Sequence, residues 1–240
     1  MRATRAATPA ERRGASKRVR EVRSKSLMLA AALSLMLMLG ACAKSEPVDF
    51  KDPRTALVLI NFQNDYLRPG GRMAVAQDQV DPMLNAANAM IEAARKNAID
   101  VIYVRDEFSR FEFIRNMLRK DAALRYEAGS ALDPRLDGTA GVYFDKERGD
   151  AFSNSEFGAH LETLNLGNLV IAGVFAHGSV AATALDAIKR GYKVTVISDA
   201  IVGAKDEARD KVLAELKGAG AQIETSTQFI ASLGSASPSS

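Results

Sequence analysis

Four short strand-like runs constrain this chain more than any other feature: Ala56–Ile60 (ALVLI), which is continuously apolar, Ile99–Val104 (IDVIYV), Asn168–Ala172 (NLVIA) and Lys193–Ser198 (KVTVIS). A strand with one wet face alternates apolar and polar residues, whereas an unbroken run suits a strand covered on both faces of a parallel sheet. Helical patterns fall between the runs. Asp81-Pro82 opens one in which Leu84, Ala87, Ile91 and Ala94 recur every three or four residues until Asn97. Further helices are predicted over Glu107–Lys120, Val180–Arg190 and Asp206–Leu216, with a weak strand at Val142–Phe144, a loop over Tyr126–Gly141 and a last strand at Ala221–Thr225. Parallel neighbours need a crossover and a helix is the usual one, so the pattern predicts an α/β domain: a three-layer αβα sandwich on a mostly parallel, Rossmann-like sheet. In such sheets ligands sit beyond the carboxyl ends of the strands.

The ends of the chain read differently. Of 32 Lys/Arg and 29 Asp/Glu, nine and two lie in Met1–Lys25; Leu27–Leu39 then form an apolar run broken only by Ser34. A basic arm, an apolar stretch far shorter than the roughly 20 residues of a spanning helix, and small residues beyond it read as an export signal. Leu39-Gly40-Ala41-Cys42 resembles the bacterial lipobox, which implies cleavage after residue 41, acylation of Cys42 and a protein anchored to a cell membrane on its periplasmic or extracellular side. Residues 42–54 read as a tether, 55–233 as the domain and 234–240 as a frayed tail. Cleavage leaves 23 basic and 27 acidic residues, a net of −4, with no basic stripe, so nothing supports a nucleic-acid partner. A lone cysteine and two histidines exclude a disulfide scaffold and a structural zinc module. There is neither a G-x-G-x-x-G nor a Walker motif.

The segments just after the strands carry the chemistry. Asn61-Phe62-Gln63-Asn64-Asp65-Tyr66 comes after the first run, Phe144-Asp145-Lys146-Glu147-Arg148-Gly149-Asp150-Ala151-Phe152 at the weak strand, and Gly173-Val174-Phe175-Ala176-His177-Gly178-Ser179 after the fourth strand. Together with VIAGVFAHGSVAATALDAIKRGYKVTVISDA and the closing AGAQIETS, these segments resemble the isochorismatase-like (cysteine hydrolase) superfamily over about Thr55–Thr227. The resemblance implies a triad of aspartate, lysine and cysteine that hydrolyses amides, with a non-proline cis peptide at Val174-Phe175 shaping an oxyanion hole. Lys146 matches, but the aspartate position holds Asn61 and the cysteine position holds Ser179. Cys42, the only cysteine, lies outside the domain, so thiolate catalysis is excluded. Metal-binding nicotinamidases of the superfamily carry an aspartate and histidines after the second strand. This chain has Arg105-Asp106-Glu107-Phe108 there, so no catalytic metal and no cofactor are expected.

Two readings of the altered triad stand side by side. A serine hydroxyl needs a general base. Without a carboxylate at position 61, a neutral Lys146 could serve, with Asn61 as an orienting donor, giving a serine/lysine C–N or ester hydrolase. His177 is a second candidate base. Alternatively the site has lost catalysis, Ser179 caps its helix, and the protein is a small-molecule-binding pseudoenzyme. Gln63 could touch a ligand or brace the loop backbone, and His177 is a candidate pocket wall. Phe152 and Phe157 could line the pocket or belong to the core, and Arg105 and Arg110 could meet a carboxylate ligand or face solvent. Asp199 is expected to fasten the loop after its strand. Relatives often form dimers, which makes a homo-oligomer an expectation from resemblance.

Overall fold

Six strands form one sheet in the order β3-β2-β1-β4-β5-β6, and every neighbouring pair is parallel. They are β1 (Thr55–Ile60), β2 (Asp100–Asp106), β3 (Val142–Lys146), β4 (Asn168–Val174), β5 (Lys193–Val202) and β6 (Gln222–Glu224). The helices are α1 (Asn64–Leu67), α2 (Val80–Lys96), α3 (Phe113–Leu118), α4 (Ser155–Thr163), α5 (Ala181–Lys189), α6 (Asp206–Gly218) and α7 (Ser226–Ser235). This computed structural model describes residues 47–138, 141–203 and 206–235; the segment read as an export signal, Cys42 and residues 236–240 lie outside the described residues.

The pleat of β1 divides the interior. Leu57 and Leu59 face one core, into which α2 drives Val80, Met83, Leu84, Ala87, Met90, Ile91 and Ala94. Ala56, Val58 and Ile60 face the other, filled by Phe157 and Leu161 of α4, Ala184 and Ala187 of α5, and Val212 and Leu216 of α6. Burying a leucine- or isoleucine-sized side chain is worth about 1.5–3 kcal/mol, so both faces of the sheet hold the helices against it. Strand order reverses between β1 and β4, the switch point at which a crevice opens beyond the strand ends. Gly173 sits there at φ +138°, and a Cβ on it would lie 2.0 Å from the Ile60 carbonyl oxygen. Only glycine lets β4 pass β1 so closely.

Several boundaries differ from the sequence reading. The helix expected over Glu107–Lys120 shrinks to Phe113–Leu118, because the first residues continue the sheet edge: Glu107 N donates to the Lys146 carbonyl, Phe108 N to that of Ala123, and Arg125 N to that of Phe108. β5 runs past Ser198 to Val202 through a shift in register against β4, so Asp199 lies within a strand. Asp199 accepts from the Ser226 amide and hydroxyl at 2.7 Å each and so fastens the start of α7, a helix that periodicity does not signal. Residues 47–54, read from composition as part of a tether, are bonded to the domain. Val48 N donates to the Arg190 carbonyl, Phe50 packs on Tyr192 with ring centroids 4.8 Å apart, and the Asn165 and Asn168 amides hold the carbonyls of Lys51, Asp52 and Pro53. Residues 47–54 are thus laid onto the domain by an aromatic contact and backbone bonds that composition does not reveal.

Candidate active site

The carboxyl ends of β1 to β4 bring four polar side chains into one buried cluster. Asn61 leaves β1 with φ +57°, a left-handed conformation that asparagine and aspartate tolerate better than most residues. Asp106 and Lys146 are register partners at the ends of β2 and β3. Ser179 lies in the turn Ala176–Val180 that leads into α5. Their exposures are 0, 5, 2 and 7%, respectively, so all four side chains are buried.

Asp106 is the hub. One carboxylate oxygen pairs with the Lys146 ammonium, and the other accepts from Asn61 Nδ2 at 2.8 Å and from the Tyr66 hydroxyl at 2.8 Å. Its backbone is gripped by Gln63, whose Oε1 accepts from the Asp106 amide at 2.8 Å and whose Nε2 donates to the Asp106 carbonyl at 2.7 Å and the Ser130 carbonyl at 2.8 Å. Burial, with the Asp106 charge second, pushes the Tyr66 phenol well above its ordinary pKa, so it stays a donor. Ser179 Oγ receives Lys146 Nζ at 3.1 Å and Asn61 Nδ2 at 3.0 Å. Facing a carboxylate, the Asn61 amide has to present its nitrogen, which leaves Asn61 Oδ1 buried with no hydrogen-bond partner among the described residues.

The structure therefore brings Asn61, Lys146 and Ser179 together, and adds the carboxylate that the sequence reading lacks. A neutral Lys146 depends on the absence of a neighbouring acid; Asp106 supplies one. Nor does Ser179 cap its helix: no side chain caps α5, and the hydroxyl is turned to Lys146 and Asn61. Val174 is buried, and the Val174–Phe175 peptide is cis. Phe175 is half-buried against the edge of Tyr66, its centroid 5.2 Å away. His177 is exposed, and no hydrogen bond joins it to Ser179 among the described residues; its ring lies 6.3 Å from that of Phe175. Gln63 braces backbone rather than facing a ligand. Phe152 is core, packed on Phe157 and Tyr192 with the Arg190 guanidinium 4.6 Å over its ring. Arg105 and Arg110 are engaged by Asp145 at 2.7 Å and Glu127 at 3.0 Å. Beside Lys146 a polar recess of about 320 Å³ is lined by Arg125, Glu147, Arg148, Ser153 and Asn154. A larger cavity of about 390 Å³ lies at the opposite strand ends, around Thr55, Asn168 and Lys193, away from this chemistry.

Known proteins share this arrangement of strands. The model of the isochorismatase domain matches residues 55–228. The chain belongs to the isochorismatase family. An Arabidopsis thaliana protein named "Probable inactive nicotinamidase" is 27% identical over 71% of this chain and 92% of its own. The crystal structure of an isochorismatase-like hydrolase from Alkaliphilus metalliredigens superposes with a TM-score of 0.70 at 20% identity, over 75% of this chain and 98% of that one. A pyrazinamidase of Pyrococcus horikoshii in complex with zinc superposes at 0.64 with 26% identity, over 72% and 99%.

A metal does not fit this isochorismatase-family site. Asp106, the acid that ends β2, spends its oxygens on Lys146, Asn61 and Tyr66, and Glu107 and Phe108 follow it without an imidazole. Among the described residues no three His, Cys, Asp or Glu side chains cluster.

Proposed function

We propose that this isochorismatase-family protein binds a small molecule at the Ser179 end of its cluster without hydrolysing it. One observation carries the reading: among the described residues Ser179 Oγ is faced by two donors, Lys146 Nζ and Asn61 Nδ2, and by no acceptor. With the lysine committed to Asp106, no group among the described residues is placed to take the hydroxyl proton, so the hydroxyl is a donor kept for a ligand oxygen rather than a nucleophile. The 27% identical relative named as inactive supports loss of turnover on this fold.

A serine/lysine hydrolase is the second reading, favoured by the 3.1 Å separation of Ser179 Oγ and Lys146 Nζ. The two part in one experiment. The purified protein is screened against carboxamides, esters and carboxylic acids by thermal shift, with mass spectrometry of each mixture. The binding reading expects a raised melting temperature with the compound intact. Product that forms with wild type and disappears with Ser179→Ala would overturn it. We also propose that the protein is exported and held to a membrane through acylated Cys42, a reading supported by the Leu39-Gly40-Ala41-Cys42 sequence alone. Fractionation checks it: wild type should partition with membranes and carry an acyl mass, and Cys42→Ser should do neither.

A further inference from the structure

The family pattern places an acid at the end of β1 and this chain has an amide there, yet the buried cluster still contains one carboxylate and one ammonium. We infer that Asp106 has taken over as the carboxylate that positions Lys146, and that Asn61 is its complement, so that residues 61 and 106 form one acid/amide pair that the two strands could exchange.

Three observations carry this. The two side chains touch, Asn61 Nδ2 to Asp106 Oδ2 at 2.8 Å, and both are buried. Lys146 reaches Asp106 and Ser179, and Asn61 reaches the same two partners, so 61 and 106 are edges of a single hydrogen-bonded ring. The left-handed backbone at 61 accommodates an aspartate as well as an asparagine, so the backbone conformation does not dictate the amide. What does is charge. Two carboxylates at this separation, out of water and sharing one ammonium, cannot both stay ionised.

The groups that face the pair are Lys146 from β3, Tyr66 from α1 and Ser179 before α5, with Asp65 and Arg119 acting from farther out on the Tyr66 phenol. In Asn61→Asp the second acid takes up a proton in the folded state, its pKa raised above the unfolded value. The destabilisation is then full above the raised pKa and shrinks as pH falls through it. Asp106→Asn leaves the buried ammonium without a carboxylate at any neutral pH. The double exchange restores one acid, one amide and one ammonium.

Melting temperatures at pH 5 and pH 8 test this. Asn61→Asp should melt about 10 °C below wild type at pH 8 and less far below at pH 5. The exchange Asn61→Asp with Asp106→Asn should regain at least half of the larger single loss, with a pH dependence like that of wild type. Losses that simply add in the double variant, or an Asn61→Asp deficit equal at both pH values, would overturn the inference. Should Asp106→Asn not fold, the comparison moves to Lys146→Met: adding Asp106→Asn to it should raise the melting temperature by removing a stranded carboxylate, and a further fall would overturn the inference. The inference deepens the reading of the site as rewired for binding, but its test reads stability alone. Turnover by wild type would sink that reading and leave this one standing.

Discussion

Two neighbouring stretches, the end of β2 and the segment that follows it, break the usual rule of inside and outside in opposite directions. Asp106 turns its charge inward, where Lys146, Asn61 and Tyr66 satisfy it at 5% exposure. A few residues on, Phe111 and α3 hold Phe111, Phe113, Ile114, Met117 and Leu118 out at 71–84% exposure, while the buried residue of α3 is Asn116, whose amide donates to the Ser109 carbonyl. The difference teaches where free energy resides. In the cluster it lies in coupling, because each polar group is tolerated only while its partner is present. On α3 the apolar side chains have left little water behind, so the folded chain gains little from them.

The sharpest way to break that contrast is Lys146→Ala. Removing a wholly buried ammonium strands the Asp106 carboxylate, and losing one partner of a buried pair costs about 3–5 kcal/mol. Urea unfolding at pH 7 should show that loss, and one below 1 kcal/mol would mean that water reaches the cluster.

Tyr66→Phe sharpens the same side at lower cost. It removes a 2.8 Å bond to a charged acceptor while keeping the ring on Phe175, for about 1.5–3 kcal/mol. It also carries a pH signature. Burial and the Asp106 charge raise the folded phenol's pKa, so above about pH 10 the unfolded chain ionises while the folded one holds its proton, and stability is lost as pH rises. Wild type should therefore lose stability between pH 9 and 11 more steeply than Tyr66→Phe. Equal slopes would show that the phenol is not shielded.

Much of this architecture is legible in the sequence because apolar runs and period-3.6 faces report burial directly. ALVLI is β1 and the helix opened by Asp81 and ended at Asn97 is α2, within a residue at each end. The cluster is legible only in part. Asn61, Lys146 and Ser179 can be placed by the pattern of motifs around them, but Asp106 stands in a segment that sequence reasoning weighs only for the metal ligands it lacks. A signal for it exists. Continuing β2 and β3 two residues past Val104 and Phe144 brings Asp106 and Lys146 to matching ends of adjacent parallel strands, opposite charges in register. Reading it needs the strand order, which local sequence does not contain. Phe152 stays open between pocket and core for a similar reason: its partners Tyr192 and Arg190 lie about 40 residues away, so its place in the core is a tertiary fact. The helix at Glu107 comes out over-long because helical periodicity cannot see backbone groups already claimed by Lys146 and Ala123.

The smallest expected effect tests the other side of the contrast. Phe113→Ser, Ile114→Ser and Met117→Ser each alter an exposed side chain, and such changes usually fall within about 0.5 kcal/mol of wild type. Serine is a slightly poorer helix former than methionine and close to phenylalanine and isoleucine, so propensity adds only a few tenths. The triple variant should thus stay within about 1.5 kcal/mol of wild type, whereas Met90→Ala, one methionine fully buried on α2, should cost about 2–5 kcal/mol. Urea unfolding of the two variants side by side, at two protein concentrations, reads the difference. If the triple costs as much as Met90→Ala, and more at the higher concentration, the α3 side chains are covered in solution and the contrast between the two stretches disappears. If it stays small at both, three apolar side chains on α3 contribute less to this fold than the single buried charge of Lys146.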